Sequence, residues 1–148
     1  AQLLVTAGVQ AIDVAGAGGT NWVKIDAMRG KNVNAEYLYE WGLPTALAIV
    51  ETRSVYNRTI IASGGIRSGL DIAKALILGA DLCSMALPVL RAQANNGKKG
   101  VVELLTRMRE ELRTVMFLVG AKDLNELKDK KIIVHGKTRE WLKQRGKG

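Results

Sequence analysis

Two stretches of this chain carry the residue types that hold an anion. The first is Ile60-Ile61-Ala62-Ser63-Gly64-Gly65-Ile66-Arg67-Ser68-Gly69-Leu70-Asp71. An apolar, β-branched run ends in two glycines and then a helix start. A buried parallel strand that stops at an anion-binding turn has this pattern, because residues without Cβ atoms let backbone N–H groups approach a ligand closely. Ser68 suits the N-cap of the following helix, and Asp71 suits its first turn. That helix adds its positive dipole end, and Arg67 is placed for a charge-assisted contact to phosphate. The second stretch, Asp81-Leu82-Cys83-Ser84-Met85-Ala86-Leu87-Pro88, repeats the theme, with Ala86 and Leu87 supplying further amides above a neighbouring strand. The Gly64-Gly65 turn alone is also explained by a tight strand-to-helix connection that needs glycine for its backbone. The pair points to a phosphate-bearing ligand.

The other candidates are weaker. Gly16-Ala17-Gly18-Gly19-Thr20-Asn21-Trp22 is a glycine-rich loop after a strand. Thr20 and Asn21 either bond polar groups of a ligand or cap the loop. Trp22 either lines a pocket or anchors the rim. Asp13 lies inside a strand and reads as a structural hydrogen-bond partner. His135 is far from the glycine loops and reads as a surface or packed side chain. Lone Cys83 sits in an apolar run and reads as a buried core thiol. The carboxylates are scattered, so no catalytic acid–base pair and no metal ligand is nominated.

These turns need strands and helices to present them. Leu3 to Ala7 reads as the end of a helix closed by Gly8. Ala11 to Ala15, Thr59 to Ser63 and Leu82 to Ala86 read as strands. Lys24 to Ala35 reads as loop with helical turns, and Tyr37 to Gly42 as a short helix or turn. Pro44 suits position N1 of a helix running through Val55. A helix from Ser68 to Gly79 buries Leu70, Ala73, Leu76 and Ile77. Pro88 opens another, which Asn95-Asn96-Gly97 breaks. A long amphipathic helix covers Val101 to Val119 and ends at Gly120, with Leu104, Leu105, Met108, Leu112, Val115 and Met116 at helical spacing. Leu124 to Lys128 is a short helix, Ile132 to Val134 an extended piece, and Thr138 to Gln144 a last helical segment. Strands alternating with helices imply parallel strands joined by right-handed crossovers, in one domain spanning residues 1–148.

Composition narrows the class. With 148 residues, 47% of them hydrophobic, the chain is long enough and apolar enough for one real core. No apolar run approaches the roughly 18 residues of a membrane span. Ala1 to Val5 has no basic segment leading into a signal-type core, and with a single cysteine the expected compartment is a reducing cytoplasm. The net charge of +8 lies wholly in residues 91–148, which hold fifteen Lys/Arg against seven Asp/Glu. Without interleaved aromatics for base stacking, this excess reads as a solvated helical face and a Lys-rich tail rather than a nucleic-acid surface.

Taken in order, AIDVAGAGGTNW, EWGLPTALAI, IIASGGIRSGLDIAKALILGAD and MALPVL resemble the type 2 isopentenyl-diphosphate isomerases. The tail, IIVHGKTREWLKQRG, resembles that family's C-terminal end. The central motif alone also resembles other FMN-binding barrels, such as IMP dehydrogenase and glutamate synthase. The resemblance implies a flavin-dependent (β/α)8 TIM barrel that interconverts isopentenyl and dimethylallyl diphosphates in isoprenoid biosynthesis. It implies reduced FMN acting in proton transfer, together with Mg²⁺ and NADPH. It assigns Thr20 to a contact with FMN, and Gly65, Ile66, Arg67, Ala86 and Leu87 to its phosphate. Many family members have Ser where this chain has Ala15, so any contact there falls to backbone or packing.

A full barrel needs about 250 residues. The three visible strands correspond to strands 6–8, followed by a C-terminal extension. In the family the N-terminal part supplies a substrate-binding His/Asn segment, the Mg²⁺ carboxylate and a flavin-contacting Lys, none with a counterpart here. The expectation is a partial barrel that exposes a strand edge, tends to self-associate as a homo-oligomer, binds FMN weakly and does not isomerise alone. Two other readings stay open: part of another FMN-dependent oxidoreductase barrel, or a non-catalytic phosphate- or nucleic-acid-binding module.

Overall fold

A computed structural model describes residues 1–30 and 33–146. After the short helix α1 (Gln2–Thr6), strand β1 (Ala11–Val14) leads through a 3-10 turn at Gly16–Gly18 into α2 (Trp22–Arg29). A second 3-10 segment, Val33–Leu38, precedes α3 (Thr45–Arg53). Strand β2 (Thr59–Ala62), α4 (Gly69–Ile77) and β3 (Leu82–Cys83) follow, then the long α5 (Leu87–Leu118), α6 (Leu124–Lys128) and α7 (Gly136–Gln144). The strands form one parallel sheet in the order β1-β2-β3. Ala11 stands opposite Thr59 and Val14 opposite Ala62, while Ile61 stands opposite Leu82.

Strand alternation divides the sheet into two unlike faces. Val14, Ile60 and Ala62 point towards the helices and close a core with Ile49 and Tyr56 from the α3 side and Ala75 from α4. Ile60 and Ala62 are fully enclosed. A second cluster, Ala73, Leu76, Ala121 and Leu127, wedges α4 against α6 and the end of α5. On the opposite face, Ala11, Asp13 and Leu82 are exposed and Thr59 and Ile61 are only half-buried. No helix among the described residues covers that face.

Asp81, just ahead of β3, ties the sheet to its helices. Its carboxylate accepts the Ile60 N–H at 3.0 Å, the Lys128 ammonium at 2.8 Å and the Arg53 guanidinium. Burial works to raise its pKa. The hydrogen bonds from Lys128, Ile60 and Arg53 and the Arg53 charge outweigh that and bring it down to about 2.

Several elements differ from expectation. Residues 22–29 form a regular helix rather than loop, because Asn21 caps it by accepting the Lys24 N–H at 2.9 Å. Lys31 and Asn32, within the same expected loop, lie outside the described residues. Pro44 is the N-cap of α3 rather than its first residue. Strand β3 is two residues long and stops before Ser84, since Ala86 and Leu87 already belong to the start of α5. The break expected at Asn95-Asn96-Gly97 is present: Asn96 and Gly97 have non-helical backbone angles and α5 is kinked there. Ile132 to Val134 joins no strand among the described residues, and α7 begins at Gly136, ahead of Thr138. No helix among the described residues is long and apolar enough to cross a membrane.

Candidate functional site

The C-terminal ends of the three strands open into one cleft of about 1080 Å³. Thr20, Gly65, Ile66, Arg67, Ala86 and Leu87 all line it. Residues nominated from three separate stretches thus face a common space.

The walls are built by close backbone packing. Gly64 and Gly65 have φ of 71° and 93°, in the left-handed region that side chains disfavour. A Cβ on Gly64 would run into the Ala15 carbonyl, and one on Gly65 would lie 2.9 Å from the Gly18 carbonyl oxygen. These glycines, with Gly18 and Gly19, therefore let the turn after β2 lie directly against the loop after β1. Thr45, at the start of α3, pins the junction. Its hydroxyl lies 2.7 Å from the Ala15 carbonyl oxygen and 2.8 Å from that of Gly64, and it accepts the Gly18 N–H at 3.2 Å. Buried Ile66 anchors the turn beneath exposed Gly65 and Arg67.

The two helix starts at this cleft differ. At α4, Ser68 accepts the Asp71 N–H at 3.1 Å, and Asp71 accepts the Ser68 hydroxyl at 2.8 Å and the Arg67 N–H at 3.1 Å. Glu111, reaching across from α5, accepts the Gly69 N–H at 2.7 Å. Two carboxylates thus already answer the dipole of α4, so its expected pull on a ligand is largely spent within the protein. At α5 no side chain caps the helix and its first turn holds no acidic residue. The N–H groups of Ala86 and Leu87, like those of Gly64, Gly65 and Ile66, meet no acceptor among the described residues. Donors without acceptors, beside an uncompensated positive helix end, are an anion-binding arrangement. Arg67 and Arg91 line the cleft, and their guanidinium groups form no ion pair among the described residues.

The remaining candidates divide. Thr20 is exposed, with its hydroxyl unbonded among the described residues. Asn21 is a structural residue, capping α2 and donating to the Tyr39 carbonyl at 2.6 Å. Trp22 lines the cleft and is 70% exposed. His135 precedes α7, away from the cleft. Cys83 is half-buried, and burial pushes its thiol up to about 11, so the thiolate needed for nucleophilic chemistry is scarce at neutral pH. Among the described residues, no three His, Cys, Asp or Glu side chains cluster closely enough to hold a metal ion. The basic side chains of the C-terminal part are partly paired, as Lys99–Glu103, Arg107–Glu111 and Lys122–Glu126 along exposed helix faces. Sequence reasoning missed Thr45 and Glu111, whose partners lie far away in the chain. For Thr45, its place directly after Pro44 at a helix start was the available signal.

Comparison with known proteins adds a family to this geometry. Proteins of Methanocaldococcus jannaschii and Methanothermobacter thermautotrophicus, both named isopentenyl-diphosphate delta-isomerase, are 47% identical over 98% and 97% of this chain. A Pyrococcus abyssi protein of the same name is 43% identical over 96%. The chain spans about 41% of the length of the first two and 40% of the third. Among solved structures, a lactate oxidase of Pediococcus acidilactici superposes with a TM-score of 0.70 at 27% identity, over 89% of this chain and 33% of that one. A mandelate oxidase carrying an FMN adduct gives 0.69 at 27% identity, over 90% and 38%. Residues 1–134 match the profile of the FMN-dependent dehydrogenases, and the chain belongs to that family.

Proposed function

We propose that this chain is the FMN-phosphate-binding, C-terminal part of a (β/α)8 barrel that interconverts isopentenyl and dimethylallyl diphosphates. The observation that carries the phosphate reading is that Gly64 to Ile66, Ala86 and Leu87, whose amides meet no acceptor among the described residues, all line one cleft. In a βα barrel the loops after strands 7 and 8 are the usual phosphate site, which assigns β1, β2 and β3 to strands 6, 7 and 8. The choice of substrate rests on the archaeal relatives, whose names state the isomerase.

The residues present fit FMN. The Gly65 amide sits where a Cβ would crowd its neighbour, Arg67 and Arg91 bring positive charge, and Thr20 offers a hydroxyl with no partner among the described residues. FMN in its reduced form would supply proton transfer at the allylic carbons. This chain's part is to grip the phosphate, orient the cofactor over the strand ends and wall off solvent with the glycine loop and Trp22. In this reading the Mg²⁺ ligands, the reduction by NADPH and the diphosphate-binding groups belong to the rest of the enzyme. The uncovered sheet face, with Leu82 55% exposed, is the barrel interior that the remaining strands would close. A cytoplasmic homo-oligomer completes the reading.

The test compares FMN with riboflavin, which lacks the phosphate, by titration calorimetry on this chain, and then assays isomerase turnover with the chain alone and in the complete protein. The reading expects FMN to bind better than riboflavin, and turnover only in the complete protein. Equal affinity for the two flavins removes the phosphate reading, and a complete protein inert towards isopentenyl diphosphate removes the isomerase.

A further inference from the structure

We infer that Asp13 is a positioning residue that aims both halves of the phosphate grip. The inference rests on the phosphate reading above. Asp13 is the one charged residue in the three strands, Ala11–Val14, Thr59–Ala62 and Leu82–Cys83. A carboxylate in a strand centre is disfavoured by strand propensity, and its neighbours Ile12 and Val14 serve the core on the other face. Its side chain stands on the uncovered face and lines the cleft.

Each of its oxygens meets a different serine. Oδ1 accepts the Ser63 hydroxyl in a short hydrogen bond, and the Ser84 hydroxyl reaches Oδ2 at 3.5 Å. Ser63 directly precedes Gly64 and Gly65, and Ser84 lies two residues before Ala86. Strands β1 and β3 do not pair, so this carboxylate is a link across the sheet that the backbone ladder does not make. A two-glycine turn has more conformational freedom to lose than any other. Fixing the residue before it lowers the loss on binding, because a preorganised donor set need not be ordered by the ligand. Asp13 therefore acts on the phosphate through Ser63 and Ser84.

The experiment measures FMN and riboflavin affinity on this chain and on Asp13→Ala, Asp13→Asn and the double variant Ser63→Ala/Ser84→Ala. Asp13→Ala lowers the FMN-to-riboflavin affinity ratio by about tenfold, as expected when the Ser63 hydrogen bond and the longer Ser84 contact are both lost. Asp13→Asn keeps the ratio within about threefold, because a carboxamide still offers an acceptor and a donor to the two hydroxyls. A residue that merely supports the fold would weaken both flavins alike. Retention of the parent ratio in Asp13→Ala, or equal loss of both flavins, overturns the inference. Should Asp13→Ala fail to fold by circular dichroism, the double serine variant decides in the same terms. A parent chain that shows no preference for FMN overturns the phosphate reading itself, a result distinct from a parent preference that survives Asp13→Ala.

Discussion

Replacing Asp81 by Asn gives a stability loss that depends on pH in a defined direction. In the folded chain the Asp81 carboxyl is held at about 2 against an ordinary value of 3.8. The folded state therefore binds fewer protons than the unfolded chain over this window. The stabilisation is complete above the unfolded value and disappears as pH falls through about 2. The difference between 3.8 and about 2 corresponds to at most about 2.4 kcal/mol. The Asp81 and Arg53 side chains are 35% and 29% exposed, so solvent screening lowers the expected contribution to about 1 kcal/mol. The loss is also bounded from the other side. Arg53 keeps three carbonyl acceptors, Gly79 at 2.7 Å, Tyr56 at 3.0 Å and Arg58 at 2.9 Å, and is not stranded when the carboxylate goes. Urea unfolding of parent and Asp81→Asn, followed by tryptophan fluorescence at pH 7 and again near pH 2, measures the difference directly. It should be about 1 kcal/mol at pH 7 and shrink towards zero at the acid end. A difference that stays the same at both pH values would show that the carboxylate's charge is not what ties β3 to α3 and α6.

Three further outcomes are expected. Gly65→Ala places a Cβ 2.9 Å from the Gly18 carbonyl at a φ of 93°, and should lower stability by about 1–3 kcal/mol and FMN affinity with it, read by thermal melting and titration. Arg67→Gln, an exposed change, should leave the melting temperature nearly unmoved while weakening FMN and sparing riboflavin; equal weakening of both would take Arg67 out of the phosphate grip. Leu127→Ala empties a fully enclosed position between α4 and α6 and should cost about 2–5 kcal/mol in urea unfolding.

What the sequence made legible was local. The run Ile60 to Asp71 reads as strand, turn and capped helix because each signal falls within a few residues of the next, and the structure has all three. The break at Asn96–Gly97 is legible for the same reason. The helix at 22–29 was not, because its mean hydropathy is close to neutral and its one clear start signal, Asn21, also suited a ligand loop. Contacts between distant segments left no pattern to read. Thr45 bonds to Ala15 and Gly18, Glu111 to Gly69, and Asp13 to Ser63 and Ser84, at separations of 27 to 71 residues. Side-chain pairs of that span become visible only when the fold closes them.

The same distinction explains why two helix starts at one cleft play different parts. Both strand ends lead into a helix start whose dipole favours an anion. Yet at α4 Glu111 takes the Gly69 N–H and Ser68 the Asp71 N–H, while Asp71 takes the N–H of Arg67 just ahead of the helix. Its N-terminus is thereby fixed against α5, where a Cβ on Gly69 would meet the Leu112 and Met108 backbone. That fixed helix holds the Gly64–Gly65 turn in place without competing for what the turn binds. The α5 start has no cap and no acid, and Pro88 removes one of its N–H groups, so its remaining donors stay available. In the proposed reading, a cleft with one helix end satisfied internally and the next left open would hold its anion through the turn and the open helix, with the closed helix as the rigid support between them.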